Sequence, residues 1–211
     1  MAEVRNPLFA RLYTRLSGGA EKRGAAEHRD ENLAGLRGRV IEIGAGNGLN
    51  FAHYPREVEE VVAVEPESYL RARAQEAAAK APVKVTVADG TADRLPAEDG
   101  EFDAAVASLV LCTVPDPARA LAEARRVLRP GGELHFYEHV RAEEPRLARW
   151  QDRLARRIWP MVGGGCHPNR DTQAAIAAAG FQVERARRFR WNPGPGMVIV
   201  SPHVIGVARR P

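Results

Sequence analysis

The segment from residue 39 to residue 50 constrains the fold of this chain more than any other. It begins as a short apolar run, Val40-Ile-Glu-Ile43, and then has glycine at positions 44, 46 and 48. A buried strand that ends in a tight glycine turn and leads into a helix is typical of α/β folds that bind a ligand at the strand end. Glycine suits such a turn because positive φ costs it little and because a ligand can approach a backbone without Cβ atoms.

The spacing of these glycines separates two kinds of ligand. A dinucleotide-binding turn has the spacing G-x-G-x-x-G and an acidic ribose partner about 20 residues later. Here the spacing is G-x-G-x-G, and an acidic residue, Glu42, lies inside the strand two positions before Gly44. The pattern therefore argues against NAD, as does the lack of a second, substrate-binding domain.

Strands and helices alternate along the next part of the chain. The pattern predicts strands at 58–64, 83–88, 102–111 and 133–140. It also predicts helices at 49–54, 68–80 and 117–128, and a sharp turn at 129–132. Such regular alternation predicts an α/β fold with a doubly wound, mostly parallel sheet.

The pattern changes after residue 140. We expect an arginine-rich helix at 145–160, a flexible glycine-rich loop at 163–170 and a helix at 171–179. Two strands follow, at 181–190 and 197–208, and the proline- and glycine-rich link at 192–196 suits a turn between antiparallel partners. The sheet would then have seven strands, with an antiparallel strand at its C-terminal side.

The chain is predicted to be one domain over residues 1–211. Within it we expect an N-terminal helical lid (1–38), a ligand-binding core (39–140), a substrate-side insertion (141–180) and C-terminal strands (181–211). In the N-terminal part an apolar stripe at helical spacing, from Leu8 to Leu16, ends at Ser17-Gly-Gly19, and a second helix covers 21–36. These helices either pack against the domain edge or cover the ligand, with Tyr13 or Arg23 touching it.

Composition excludes several classes of function. The pI is about 9.4, but only three of the 31 basic residues are lysine, and the arginines are scattered, so we expect no nucleic-acid partner. No run approaches the ~18 apolar residues of a membrane span. The two cysteines, Cys112 and Cys166, suit a reducing cytoplasm, form no C-x-x-C and cannot alone make a four-ligand zinc site, so we expect no metal.

The core motifs resemble those of class I methyltransferases of the ubiquinone/menaquinone-biosynthesis type, which use S-adenosylmethionine (SAM). The resemblance covers residues 39–140 and rests on five motifs in order. They are Val40-Ile-Glu-Ile-Gly-Ala-Gly-Asn-Gly48, Val64-Glu-Pro66, Gly90-Thr-Ala-Asp-Arg-Leu-Pro96, Phe102-Asp103 and Val127-Leu-Arg-Pro-Gly-Gly132.

A narrower resemblance, to the methyltransferase-like 7 proteins, covers nearly all of the chain after residue 39. It rests on Asn50-Phe51 with Tyr54-Pro55, Leu109–Val114, Tyr137–Val140, Gly165-Cys166 with Asn169-Arg170, and Pro202-His203. Members of that group are alkyl thiol S-methyltransferases, which implies methyl transfer to a small thiol. This chain departs from them in lacking their apolar N-terminal anchor. We therefore expect a soluble, cytoplasmic, bacterial relative without a stable membrane anchor.

The first motif implies one half of the SAM site. Gly44, Ala45, Gly46 and Gly48 would line the methionyl part, with Asn50 nearby. Glu42 would hold the glycine turn or bind the amino group of SAM.

The remaining cofactor residues come from the next three strands. Glu65, 17 residues after Gly48, would accept hydrogen bonds from both ribose hydroxyls, with Pro66 beside the adenine. The residues expected at the adenine edge are Gly90, Thr91 and Ala92; Thr91 replaces the usual acid of the family, and Asp89 is the alternative acid. Ser108 and Leu109 would lie under the sulfonium.

A thiol acceptor reacts as its thiolate, and a free thiol with pKa about 8.5 is mostly protonated at neutral pH. His139, after the fifth strand, is the candidate base for this ionisation, with His167 and His203 as alternatives and a structural role as the competing interpretation. Glu138 would anchor the strand end. The candidate substrate-binding residues are Tyr13, Cys112, His139, Trp150, Trp159, Cys166 and His167.

Two other functions remain open from the sequence. One is C- or N-methylation of a quinone, phenol or amine metabolite, and the other is SAM binding without catalysis. In each case the partner is a small molecule, and the chain is expected to be a monomer or a homodimer.

Overall fold

The structure is a computed structural model that describes residues 7–192, 194 and 196–211. Its centre is a seven-stranded sheet. The strands are β1 (Gly38–Ile43), β2 (Val58–Val64), β3 (Lys84–Ala88), β4 (Phe102–Ser108), β5 (Leu128–His139), β6 (Gln182–Arg190) and β7 (Pro202–Arg209).

The strand order is β3-β2-β1-β4-β5-β7-β6, and the two antiparallel pairings are those of β7 with β5 and with β6. The predicted seven-stranded, mostly parallel sheet with an antiparallel C-terminal strand is therefore confirmed. The chain order reverses between β1 and β4, so the carboxyl ends of the parallel strands form a crevice at that point, where ligands bind in such folds. At this edge, Ile43 of β1 pairs with Val64 of β2 and Ala107 of β4.

The helices are α1 (Pro7–Ala20), α2 (Ala26–Leu33), α3 (Ser68–Ala78), α4 (Pro117–Val127), α5 (Pro145–Ala155), α6 (Ile158–Val162) and α7 (Thr172–Ala178). They cover both faces of the sheet. Alternate residues of β4 enter two separate cores: Ala105 packs with α4 and α7, and Ala104 packs with α2 and α3. Because β4 is buried on both faces, its sequence is apolar along nearly its whole length.

Side-chain caps explain the helix starts that the sequence located well. The Asp116 carboxylate accepts hydrogen bonds from the amides of Ala118 and Arg119, and Pro117 occupies the first turn of α4, as predicted. Asp171 caps α7 in the same way, through the amide of Ala174. Thus α7 begins one residue later than its predicted start, because residue 171 is the cap.

The N-terminal helices depart from the prediction. Ser17-Gly-Gly19 does not end α1, which continues to Ala20; a stretch of π-type helix, Glu21–Ala25, joins it to α2. The chain turns instead at Gly24, whose φ is 108°. Glycine only weakens a helix, whereas a residue with positive φ cannot continue it.

The apolar stripe of α1 is also not buried as a whole. Leu8, Leu12 and Leu16 are exposed at 80%, 51% and 61%, while Phe9 and Tyr13 on the neighbouring face are half-buried and stacked on each other.

Two predicted elements are shorter because a proline follows them or lies inside them. Residues 49–54 form only a 3₁₀ turn, Phe51–His53, since Tyr54 precedes Pro55 and is held in the extended region. The predicted strand 197–208 begins at Pro202, after a 3₁₀ turn at Val198–Val200.

Two other boundaries differ. The helix predicted at 145–160 is two helices, α5 and α6, because Arg157 has a non-helical backbone. The turn predicted at 129–132 lies inside β5, which pairs irregularly with β4 there and accommodates Gly131 at φ 79°. In the described part of the chain, no helix has both the length and the apolar character needed to cross a membrane.

Candidate functional site

The glycine turn after β1 is closely packed. The amides of Gly44 and Ala45 both donate to the carbonyl of Val64, at 2.9 and 3.0 Å. A Cβ atom at Gly44 would lie 2.4 Å from Val110, and one at Gly48 would lie 2.8 Å from the Ala77 side chain. Both glycines also have positive φ, so neither position can take a side chain without strain.

The middle of the turn faces α1. Gly46 has φ 58°, and a Cβ atom there would find the Tyr13 ring as its nearest neighbour, at 3.6 Å. Tyr13 thus lies beside the turn, and a lid formed by residues 1–38 stays a prediction. Burial raises the pKa of its phenol, so Tyr13 remains a neutral hydrogen-bonding group.

Glu65, at the carboxyl end of β2, contacts the same turn. Its Oε2 accepts a hydrogen bond from the Gly46 amide at 2.8 Å, and its Oε1 accepts one from the Glu67 amide at 2.9 Å. The carboxylate is buried, and burial raises its pKa. Each oxygen keeps a second lone pair, so the group can still accept hydrogen bonds from a ligand with two neighbouring hydroxyls.

Glu42 holds the segment that follows the turn. Its two oxygens accept hydrogen bonds from Asn50 Nδ2 and from the Tyr54 hydroxyl, both at 2.8 Å. The side chain is buried, and desolvation raises its pKa to about 7. Glu42 therefore fixes the far end of the glycine turn through Asn50 and Tyr54.

Asn50 links the turn to two other elements. Its Oδ1 accepts from Arg29 of α2 at 2.7 Å, and its Nδ2 donates to Ser108 Oγ of β4 at 3.1 Å. Ser108 also accepts from Asn32 of α2. Sequence analysis missed Arg29 and Asn32, because polar residues on a polar helix gave no sign that they are buried.

The ends of β2 and β3 are tied together by Arg71. Its Nη1 donates to the carbonyls of Glu65 and Pro66 and to the Asp89 carboxylate, at 2.8 to 3.0 Å. The predicted adenine-edge segment follows directly. Gly90 packs against Val64, and Thr91 forms a bridge with Arg94, beside Ala92.

The exit of β4 has an unusual backbone. Leu109 has φ 58°, a conformation rare outside glycine, and its amide donates to the Tyr137 carbonyl of β5. Glu138 then accepts hydrogen bonds from the next three amides, those of Val110, Leu111 and Cys112, at 2.8 to 3.0 Å. Glu138 is fully buried, so it shapes the loop that carries Cys112, as expected for an anchoring residue.

Three side chains meet beside this loop. Cys112 Sγ and Cys166 Sγ each lie 3.5 Å from His139 Nδ1, and all three atoms lie within 4.8 Å of one another. Both cysteines are buried free thiols, and His139 is half-buried at the end of β5. The neighbouring Cys166 thiol, together with burial, raises the pKa of Cys112 well above its usual range.

Of the other predicted acceptor residues, His167 and Trp159 lie beside this cluster and Trp150 does not. His167 is held by its own loop, with Nδ1 2.8 Å from the Gly165 carbonyl. Trp159 packs with the two cysteines and with Ile199 and Val200, whereas Trp150 is 59% exposed on α5.

His203 packs behind His139, with a distance of 4.8 Å between ring centroids. Its Nδ1 lies 2.9 Å from the Ser201 carbonyl, so this nitrogen carries the proton. Burial and the neighbouring His139 lower its pKa to about 2. His203 therefore stays neutral at physiological pH.

The structure brings most of the predicted residues to the carboxyl edge of the sheet. At this edge lie Glu42, Gly44, Ala45, Gly46, Gly48, Asn50, Glu65, Pro66, Gly90, Thr91, Ala92, Ser108, Leu109, Cys112 and His139.

Comparison with known proteins agrees with this geometry. Residues 41–136 match a family model described as a methyltransferase domain. The chain is 36% identical to the thiol S-methyltransferase TMT1B of Mus musculus, over 95% of this chain and 82% of the mouse protein. It is 38% identical to a ubiquinone/menaquinone biosynthesis C-methyltransferase, UbiE, of Methylobacterium nodulans, over 51% of this chain and 39% of that protein.

A solved structure shows the same architecture. It is a SAM-dependent methyltransferase of Thermotoga maritima, a possible histamine N-methyltransferase, with a TM-score of 0.71 and 25% identity. The match covers 96% of this chain and 97% of that one. The chain thus belongs to the class I SAM-dependent methyltransferases, in the family that contains the thiol S-methyltransferase TMT1B, and it is a SAM-dependent methyltransferase.

Proposed function

We propose that this enzyme methylates the sulfur of a small, apolar thiol. The observation that carries the proposal is the similarity to mouse TMT1B, named a thiol S-methyltransferase, which extends over 95% of this chain. The similarity to UbiE covers about half of the chain. Agreement with the thiol enzyme thus reaches beyond the part that a shared cofactor alone explains.

The residues at the carboxyl edge fit SAM. In our proposal the turn from Gly44 to Gly48, which lacks Cβ atoms at three of its five positions, accommodates the methionyl part, and Glu65 accepts hydrogen bonds from the ribose hydroxyls. Arg71 holds the ends of β2 and β3 together, so that Pro66 and Thr91 are placed for the adenine. When bound, SAM supplies a methyl group on a positively charged sulfonium.

The chain then has two tasks, to orient the acceptor and to exclude water. Tyr13 over Gly46 and the buried Arg29–Asn50 contact close the cofactor side with the N-terminal helices. On the other side, Cys112, Cys166 and Trp159 give an apolar wall. His139 lies at this wall and is the residue to which we assign the promotion of the acceptor thiolate.

A product assay tests the acceptor. The enzyme is incubated with SAM and matched panels of alkyl thiols, phenols, quinones and amines, and products are identified by mass spectrometry. We expect S-methyl products with apolar thiols. Methylation only of quinones, phenols or amines would support the alternative that UbiE suggests, and SAM binding without any product would indicate a non-catalytic protein.

Substitution of His139 tests the role of that residue. We expect His139→Gln to lower kcat/KM for thiols by roughly 10²-fold or more, the usual range for loss of proton-transfer assistance, without abolishing SAM binding. The matched control is His53→Gln, which removes a histidine paired with Asp30 at the surface. Equal rates for the two variants on a thiol substrate would remove His139 from the mechanism.

A further inference from the structure

The cluster of Cys112, His139 and Cys166, here called the Cys–His cluster, comes from three separate elements. Each cysteine is 27 residues from His139 in sequence, on opposite sides. Cys112 follows β4, His139 ends β5, and Cys166 belongs to the loop after α6. Three potential metal ligands that form no sequence motif therefore lie next to one another in the fold.

The distances in the cluster match those of a tetrahedral metal site. Zinc binds thiolate at about 2.3 Å and imidazole at about 2.0–2.1 Å, which places sulfur and nitrogen roughly 3.6 Å apart in a tetrahedron. Both sulfur–nitrogen distances here are 3.5 Å. All three atoms lie within 4.8 Å of one another, so a small inward movement of the sulfurs completes the geometry.

The ligands are also held in place by their backbones. The Cys112 amide donates to Glu138, and the Cys112 carbonyl accepts from the His167 amide at 2.7 Å. The Cys166 amide donates to the Gly163 carbonyl at 3.1 Å. Such support fixes the ligand positions before a metal binds, which is how outer residues tune metal sites.

The cluster offers a cation two sulfurs and one ring nitrogen in apolar surroundings. Without a cation, the ring nitrogen can accept one thiol proton, and Thr113 Oγ1, 3.6 Å from Cys112 Sγ, can accept the other. The surroundings are apolar, with Trp159, Ile199 and Val200 packed against the sulfurs. A divalent cation that replaces both protons gives two thiolates and one neutral imidazole, a set with no net charge and therefore little cost of burial.

We propose that the Cys–His cluster binds a zinc-like divalent cation and that the acceptor thiol occupies its fourth position. Sulfur and imidazole ligands select zinc among the common divalent ions. Three protein ligands with one exchangeable position are typical of catalytic zinc sites. In the described part of the chain only these three residues form the group, and His139 is half-buried at the carboxyl edge, so the fourth position can face the acceptor side.

The second half of this inference rests on the proposed thiol methylation, and in it His139 promotes the acceptor thiolate by holding the cation rather than by taking the proton. The acceptor thiol binds the cation in place of water and releases its proton to solvent, so it is held as a thiolate at neutral pH. Its sulfur then forms a bond to the methyl carbon as the bond from that carbon to the sulfonium breaks, and the electron pair of that bond stays on S-adenosylhomocysteine. The product is a neutral thioether, which is a weaker ligand than a thiolate and leaves the cation.

Metal binding is tested first, without turnover. The reduced, chelator-treated protein is titrated with Zn²⁺, and with Co²⁺ as a spectroscopic probe of sulfur ligation. We expect one equivalent to bind, with thiolate-to-cobalt absorption, and at least 10-fold weaker binding in Cys112→Ser, Cys166→Ser and His139→Gln. His53→Gln is the matched control and should bind as the wild type does. Far-UV circular dichroism checks that each variant is folded.

Three results would overturn the metal site. They are unchanged affinity in the Cys112→Ser/Cys166→Ser double variant, no bound equivalent in the wild type, and cobalt absorption without sulfur ligation. A disulfide between the two cysteines, with a mass two hydrogens lower and no metal bound after reduction, would instead make the cluster a redox pair.

The fourth position is tested with the cobalt-loaded protein. Addition of an apolar thiol should change the cobalt spectrum, and the corresponding alcohol should not; no change with any thiol would refute acceptor binding at the cation. Full S-methylation by chelated, metal-free enzyme would refute a role of the cation in catalysis and would leave the proposed function intact. A bound metal without S-methyl products would support the metal site and contradict the proposed function.

Discussion

Glu138 shows what a single buried side chain contributes to this site. It accepts three backbone hydrogen bonds in the loop that follows β4, and each donor would be buried without a partner if the carboxylate were lost. We expect Glu138→Gln to lower the free energy of unfolding by about 1–3 kcal/mol, because the amide nitrogen cannot accept from an amide N–H. Urea denaturation followed by circular dichroism measures this change.

The control for this substitution is Glu143→Gln. Glu143 is 80% exposed and pairs with Arg188 at the surface, so its replacement should change stability by less than about 1 kcal/mol. Equal stability of the two variants would show that Glu138 does not anchor the loop.

Glu42 gives a prediction about pH. Its pKa is raised by burial from 4.5 to about 7, so the folded protein holds a proton that the unfolded chain releases between these values. Stability contributed by the protonated form is present below pH 4.5 and is lost as the pH rises toward 7. We expect the wild type to lose about 1–3 kcal/mol relative to Glu42→Gln between pH 5 and pH 8. Parallel stability profiles for the two proteins would contradict this.

At the scale of elements, the sequence located β2 and α4 well because clear signals bound them. Pro55 and Pro66 flank the apolar run of β2, and Asp116-Pro117 begins α4. It misplaced the break between α1 and α2, because the glycine pair at 18–19 looked like a stop while the glycine with positive φ comes later. The sequence shows where the glycines are but not which of them adopts a positive φ.

Two glycine substitutions test this difference with opposite signs. At Gly18, inside α1, a Cβ atom would meet nothing within 4 Å, so Gly18→Ala should stabilise the protein by about 0.5–1 kcal/mol. Gly24 has space for a methyl group but a φ of 108°, so Gly24→Ala should destabilise it by roughly 1–3 kcal/mol. Thermal unfolding of both variants and of the wild type measures the two changes in stability. If both changes had the same sign, the break between α1 and α2 would not lie at Gly24.

The site was predictable where one segment carries it and not where tertiary contacts build it. Glu65 and the glycine turn come from local patterns, and the structure places them 2.8 Å apart. Asn32 and Asn50 both donate to Ser108, and Arg29 donates to Asn50, so this network combines three elements. The Cys–His cluster combines three others. Such convergence depends on strand order, which residue spacing in one chain does not encode.

For the molecule as a whole, cofactor binding should appear as stability. A ligand at 100 times its Kd stabilises the folded state by about 2.7 kcal/mol, which raises Tm by roughly 5–10 °C for a chain of this size. We expect SAM to produce such a shift in the wild type and a much smaller one in Glu65→Gln. Glu59→Gln, an exposed change on β2, is the control. NAD in place of SAM should give no shift in Tm. A shift with NAD and none with SAM would contradict the cofactor assignment.

The place of β7 in the sheet has a consequence for the order in which the molecule is completed. β7 follows β6 in sequence, yet β6 joins the sheet only through β7. On the ribosome, residues 182–190 therefore emerge first and wait without a hydrogen-bonded neighbour until residues 202–209 arrive. The cofactor half, β1 to β5, can assemble during that interval, whereas the packing of His203 behind His139 is finished last. A newly made enzyme thus has its cofactor half before its acceptor half is finished.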